Sequence, residues 1–305
     1  MIDVSIEGKK YLLPENWQEI SKNDLLIISD LFTHFYIPSD FLKYALIGFL
    51  GIKKYLIQYN GQLAMAKGLY RLFPFPSVTR RGVSRGKVKV FLQEDLLVLS
   101  QMLTWIHSSS STSSNTLTRN LLPRITVRRG LWPPLHLYGP ADFIKDVIGI
   151  EYAKADAAFL AFCSTADPLY LNDLVGILYR RKKWYWRIEK LFSDKVNSVR
   201  MNYTDLQYMQ NSHNAFSLSL QIKYAVFLFF QGCRNDLLFR YPYVFSSDGA
   251  EHPDSTGWAG VFRALTNENI VDINKVMELP IHTILFDLNE KIRFNKQNTK
   301  PADNG

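Results

Sequence analysis

The sequence predicts a mainly α-helical fold, an irregular multi-helix assembly with a short N-terminal β-hairpin and one or two further short strands. Apolar residues recur every three to four positions over most of the chain, and from Ala141 to Phe245 that pattern is nearly continuous. Strict alternation is confined to brief stretches such as Ile2, Val4 and Ile6 against Asp3, Ser5 and Glu7. No segment recurs at a fixed period, which excludes a solenoid. At 305 residues and 47% hydrophobic, the chain has the material for a sizeable core. The 14% aromatic content serves that core first and a binding surface second.

The elements follow in chain order. Glu7-Gly8-Lys9 turns the first alternating run into Tyr11-Leu12-Leu13, closing the hairpin. Ser21 and Asp24 have capping-box spacing and open a helix through Leu25, Ile28 and Leu31. Ser39-Asp40 caps a second, carrying Leu42, Leu46, Phe49, Ile52 and Leu56. A third is expected from Gln62 to Leu72, stopped by Phe73-Pro74-Phe75-Pro76. Lys87 to Phe91 alternates like an exposed strand, and Gln93 to Ile106 is again helical.

Arg124 to Arg129 reads as a strand, while Trp132-Pro133-Pro134 and Tyr138-Gly139-Pro140 are extended or turning. Helices are expected at about Asp142 to Phe162, Leu169 to Arg180, Asn202 to Asn211 and Asn214 to Gln231, the last capped by Gly232. A glycine and acid loop spans Ser246 to Gly257. Trp258, Val261, Phe262 and Leu265 then share a helical face, and a final helix from Ile273 to Leu288 is kinked at Pro280. The polar end from Asn295 to Gly305 is expected to fray.

The His107 to Thr116 segment is almost wholly serine and threonine and has nothing apolar to bury. The chain therefore divides into 1–106, a loop or linker at 107–118, and a helical region at 119–305. Because the helix before the loop is too apolar to stand alone, the two sides are expected to belong to one assembly.

Chemistry-bearing motifs are sought next. Gly82-Val83-Ser84-Arg85-Gly86-Lys87-Val88 is one residue short of a phosphate-binding loop and places Val88 where a hydroxyl belongs, so it reads as a glycine-rich turn. The six histidines never pair on one helix and no Cys-x-x-Cys occurs, so no metal site is expected. There is no Gly-x-Ser-x-Gly elbow. Glu251-His252-Pro253-Asp254 sits among serines and glycines and reads as an exposed loop, not an acid/base set. No cofactor is implied, and the expectation is a protein that is not an enzyme.

Cys163 and Cys233 both lie in apolar runs and are expected to behave as small hydrophobes in a reducing setting. Met1 to Glu7 lacks a basic region followed by an apolar one, and the longest apolar runs fall far short of the roughly 18 residues that span a bilayer. The expectation is a cytoplasmic protein with no membrane partner.

A formal charge of +8 favours an acidic partner or nucleic acid, though it equally serves solubility. The strongest local signal is Arg180, Arg181, Lys182, Lys183, Trp184, Tyr185, Trp186 and Arg187, cations followed by rings. Such interleaving suits partner binding through cation-π or stacking contacts. It also suits a helix C-terminus, where cations complement the dipole and rings staple the next loop to the body.

Three stretches together carry a resemblance. Leu13-Pro14-Glu15-Asn16-Trp17-Gln18-Glu19-Ile20 after a hairpin, Asn172-Asp173-Leu174-Val175-Gly176-Ile177-Leu178-Tyr179-Arg180 in mid-chain, and Gly257-Trp258 with Val276-Met277-Glu278-Leu279-Pro280 near the end are present here. The chain thereby resembles helical tail-assembly and tail-morphogenesis proteins of tailed bacteriophages and prophages. It departs from their pattern at Arg181-Lys182, where the resemblance leads one to expect a proline or short polar loop.

The resemblance implies a chaperone-like or minor tail protein in the bacterial host cytoplasm or the virion. Its partner would be another protein, such as a tape measure or tail tube protein, with Trp184, Tyr185 and Trp186 as anchors. The alternative is a basic nucleic-acid-binding protein that uses residues 80–89 and 180–187 as phosphate contacts.

Overall fold

The computed structural model describes residues 1–6, 9–33, 38–51, 55–59, 62–64, 89–92, 99–106, 116–130, 132–185, 198–245, 257–266 and 270–298. Among these the chain is mainly helical, with short strands in small sheets, and the N-terminal hairpin is present as expected. It forms two compact units, Met1–Ser110 and Ser111–Gly305.

In the first unit β1 (Ile2–Ile6) pairs antiparallel with β2 (Lys9–Leu13). Helix α1 (Lys22–Phe32) opens on the expected capping box: Ser21 Oγ accepts from the Asp24 amide, and the Asp24 carboxylate accepts from the Ser21 amide. Two first-turn donors are thereby satisfied, and Leu25, Ile28 and Leu31 turn inward. Helix α2 is Pro38–Phe49, starting ahead of the expected Ser39-Asp40 cap because proline fits a first helical turn.

Two expectations fail here. Helix α2 ends at Phe49 and does not reach Leu56: Gly51 takes a positive φ, and Leu56 lies in β3 (Tyr55–Tyr59), while Ile52 is outside the described residues. Aromatic and β-branched residues in Tyr55-Leu56-Ile57-Gln58-Tyr59 fit a pleated surface as well as a helix face. Nor is Gln62 the start of a helix, since β4 (Gln62–Ala64) pairs antiparallel with β3. The rest of that expected helix, the 73–76 stop and the glycine-rich turn at 82–88 lie outside the described residues. Strand β5 (Lys89–Leu92) overlaps the expected alternating run and pairs parallel with β3. Gln101–Ile106 is a 3-10 helix, not an α-helix. Its Trp105 packs edge-on against Trp17 at 5.3 Å and donates from Nε1 to the Pro14 carbonyl.

The second unit begins with a hairpin of β6 (Arg124–Arg129) and β7 (Trp132–Tyr138). Gly130, at φ 60, supplies the turn. The helix expected from Asp142 is divided into a 3-10 turn at Asp142–Ile144 and α3 (Gly149–Thr165), because Phe143 and Ile144 hold left-handed φ values of 59 and 49. Helix α4 (Pro168–Leu178) starts on Asp167, whose carboxylate caps Leu169 N–H. Helix α5 (Asp205–Ala215) starts on Thr204, a few residues later than expected.

Helix α6 is Leu220–Arg240, so it starts later than Asn214 and runs straight through Gly232. Gly232 is no C-cap. A Cβ there would lie 2.3 Å from the Leu117 carbonyl oxygen, so the glycine allows the chain at Leu117 to cross the helix. Tyr152, Phe159 and Phe162 on α3 meet Tyr224, Phe227 and Phe230 on α6 in an aromatic seam.

Short α7 (Pro242–Phe245) leads to α8 (Trp258–Thr266), α9 (Ile270–Met277) and α10 (Ile281–Asn298). Pro280 breaks the expected final helix where a kink was anticipated. The freed backbone pairs with the start of α3: Ile281 N–H donates to Val147, and Gly149 N–H donates to Leu279. Cys233 is buried as expected, but Cys163 is exposed on α3.

Candidate functional site

Helix α4 ends at Leu178, so the basic run after it is not a helix C-terminus. It is extended. Tyr138 and Arg180 exchange both backbone hydrogen bonds, at 2.7 and 3.0 Å. Lys183 N–H then donates to Val199, and Met201 N–H to Arg181. The segment thus lies between the end of β7 and residues 199–201, and it sends its side chains in different directions.

Arg180 points inward and is buried with Glu151 and Arg200. Glu151, in the first turn of α3, accepts from Arg180 Nη2 at 2.8 Å through one oxygen and from Arg200 Nη1 at 2.5 Å through the other. Arg200 also bonds the Asp146 carboxylate, the Asp146 carbonyl, the Leu178 carbonyl and Ser198. Ser198 donates in turn to Asp146.

The electrostatics follow that partner count. Burial pulls the pKa of the Arg180 guanidinium down to about 10, only partly offset by Glu151, and its Nε has no hydrogen-bond partner among the described residues. Arg200 suffers the same desolvation, but Glu151 and Asp146 together override it, so its affinity for the proton rises. For Asp146, burial opposes ionisation, yet Arg200 and Ser198 hold the carboxyl below its ordinary value. This cluster is closed and internally neutralised, with two cations against two anions.

The remaining residues of the run divide. Lys183 is buried, and Arg181 is exposed. Lys182 Nζ stands 5.8 Å from the Tyr138 ring centre. Trp184 is 86% exposed and touches Tyr185 edge-on at 5.5 Å. Trp186 and Arg187 lie outside the described residues, as do Arg80 to Val88 and Glu251-His252-Pro253-Asp254.

Sequence reasoning missed a second surface. Arg181 lines an open groove of about 490 Å³ with Met209, Gln210, His213 and Asn214 of α5. Helix α5 is inverted relative to an ordinary surface helix. Its buried face carries Asn211, Ser212 and Ala215, while Leu206, Met209 and Phe216 are 68%, 64% and 56% exposed. Leu206, Met209, His213 and Phe216 fall on one stripe at helical spacing. Periodicity reveals the stripe in the sequence but not which face turns inward.

The inversion has a local cause. Gly176 on α4 brings the helices so close that a Cβ there would lie 2.2 Å from Ser212 Oγ and 2.5 Å from its amide nitrogen. Only a small residue fits opposite. Asn211 Nδ2 then donates to the Tyr179 carbonyl at 3.1 Å, satisfying the chain just past the end of α4.

Among the described residues no cluster of His, Cys, Asp or Glu could hold a metal ion, and no helix is long and apolar enough to cross a membrane. The chain is defined so far as a mainly helical protein with exposed apolar and aromatic side chains and, separately, a buried ionic cluster. No family model matches it, and no curated protein or solved structure matches it either.

Proposed function

We propose that this protein works noncovalently, as a binding or assembly protein whose partner is another protein. The observation that carries this reading is the inverted helix α5. A helix that buries asparagine and serine while exposing leucine, methionine and phenylalanine has an apolar stripe that no surface covers among the described residues. Exposed aromatic and apolar anchors of this kind dominate interface energies once a partner excludes water around them. Trp184, beside the same strand segment as Arg181, adds a ring of the type enriched at such anchors.

The resemblance to phage tail proteins narrows the partner to a tape measure or tail tube protein. The protein would hold such an aggregation-prone partner until tube subunits polymerise around it, in the host cytoplasm or on the growing particle. Co-expression with a tailed-phage tape measure protein tests it. Capture by the wild type and loss in Leu206→Glu/Met209→Glu, with the helical circular dichroism signal unchanged, is the expected result. Equal capture by both forms would remove the stripe from the mechanism.

A further inference from the structure

We infer that the outward face of the β6–β7 hairpin is a binding site for single-stranded nucleic acid. This stands independently of the protein-partner reading and uses different residues. Alternation along β6 buries Ile125 and Val127 and leaves Arg124, Thr126 and Arg128 exposed, at a spacing of about 7 Å between alternate positions. Antiparallel pairing sets His136 opposite Thr126 and Tyr138 opposite Arg124 on that same face. Thr126 Oγ1 and His136 Nδ1 are 3.0 Å apart, which fixes the ring.

Three further facts point to a phosphate-bearing strand. Neither Arg124 nor Arg128 has an ion-pair partner among the described residues, and no aspartate or glutamate occurs anywhere from residue 96 to 141. Lys182 brings another ammonium beside Tyr138 at the hairpin's base. Trp132, which pairs with Arg129 across a register shift next to the hairpin's turn, is 76% exposed.

Cations in a row neutralise successive phosphates, and a flat exposed ring gives an unpaired base something to stack on. A ribbon reading duplex DNA would need hydrogen-bonding side chains at its tip to meet base edges. This tip does carry Arg128 and Arg129, but it sets the exposed Trp132 ring and two prolines beside them, and a duplex has no unpaired base for that ring to stack on. The chemistry therefore favours single strands over duplex, and a stacking polyanion over an acidic peptide.

The test is fluorescence anisotropy of a labelled oligo(dT) or oligo(U) with the full chain at low and moderate salt. Arg124→Gln/Arg128→Gln is expected to weaken binding at least about tenfold and to lower the magnitude of the log-log salt slope by about 1.4. Trp132→Leu should cost at least about fivefold, and a control pair, Arg263→Gln/Lys275→Gln, less than twofold. Both hairpin variants alter exposed side chains, and their melting curves report that they fold. The proposal is overturned by any of four results: no oligonucleotide binding by the wild type at low salt, equal loss in the control pair, tighter binding of duplex than of single strand, or equally effective displacement by polyglutamate.

Discussion

Glu151 gives one carboxylate oxygen to Arg180 and the other to Arg200, and all three side chains are buried. The pair of bonds ties the first turn of α3 to the strand segment after α4 and to the segment at 198–201. Removing the shared anion leaves two desolvated guanidinium groups facing each other. Glu151→Gln should therefore lose about 3 to 5 kcal/mol of stability in urea or thermal unfolding. Arg200→Met should lose at least as much, since it also strands Asp146 and the Leu178 carbonyl. Arg180→Met, which removes a single ion pair, should lose least. The reverse ranking would mean that Arg180 holds the cluster.

Gly176→Ala and Gly232→Ala set two effects against each other. Alanine gains about 1 kcal/mol of helix propensity over glycine in each helix interior. Against that, the new methyl meets Ser212 backbone at 2.5 Å in one case and the Leu117 carbonyl in the other, and neither can swing aside. Overpacking of this kind costs about 1 to 3 kcal/mol or more, so both variants should unfold at lower denaturant than wild type. A stabilised Gly232→Ala would show that the chain at Leu117 can retreat from α6.

What could be read from the sequence was whatever local chemistry decides. The Ser21 and Asp24 cap, the strand at Arg124–Arg129 and the helical class all rest on neighbours within a turn or a strand. What failed depended on distant partners. Gly232 has the local look of a terminus, and only the crossing at Leu117 explains it within α6. The run at 180–187 reads as one basic-aromatic patch, yet pairing with Tyr138 and with 199–201 sends Arg180 into the core and leaves Trp184 outside. Glu151, Asp146 and Arg200 carry no motif because they meet only through folding.

His282 supplies the pH dependence. Its Nε2 lies 2.7 Å from the Phe143 carbonyl and Nδ1 lies 3.1 Å from Tyr241 Oη, so a neutral ring protonated at Nε2 satisfies both. Burial lowers its pKa below 6.5, with the Arg240 and Lys145 cations working in the same direction against Asp236 and the Phe143 carbonyl. The unfolded chain therefore takes up the proton first. The contribution of the neutral ring is complete above about pH 6.5 and drains away as pH falls from there through the lower folded value. Melting temperature should drop between pH 7.5 and 5.5 by more in the wild type than in His282→Gln. A further loss, from Asp146 with its lowered pKa, begins only near pH 4 and below. Identical pH profiles for wild type and variant would remove His282 from this account.

Helix α5 gives the prediction that separates binding from folding. Leu206 and Met209 face solvent, so charging them should leave unfolding within about 0.5 kcal/mol of wild type. Ala215, on the buried face of the same helix, has no room for a carboxylate, and Ala215→Glu should fail to fold stably. Phe216→Ala should likewise spare the fold while weakening partner capture, because a truncated anchor at an interface costs on the order of 2 kcal/mol. The comparison is decisive because one helix serves both surfaces. If Leu206→Glu unfolds the protein as Ala215→Glu does, the stripe is already covered within this chain, and the surface assigned to a partner is core.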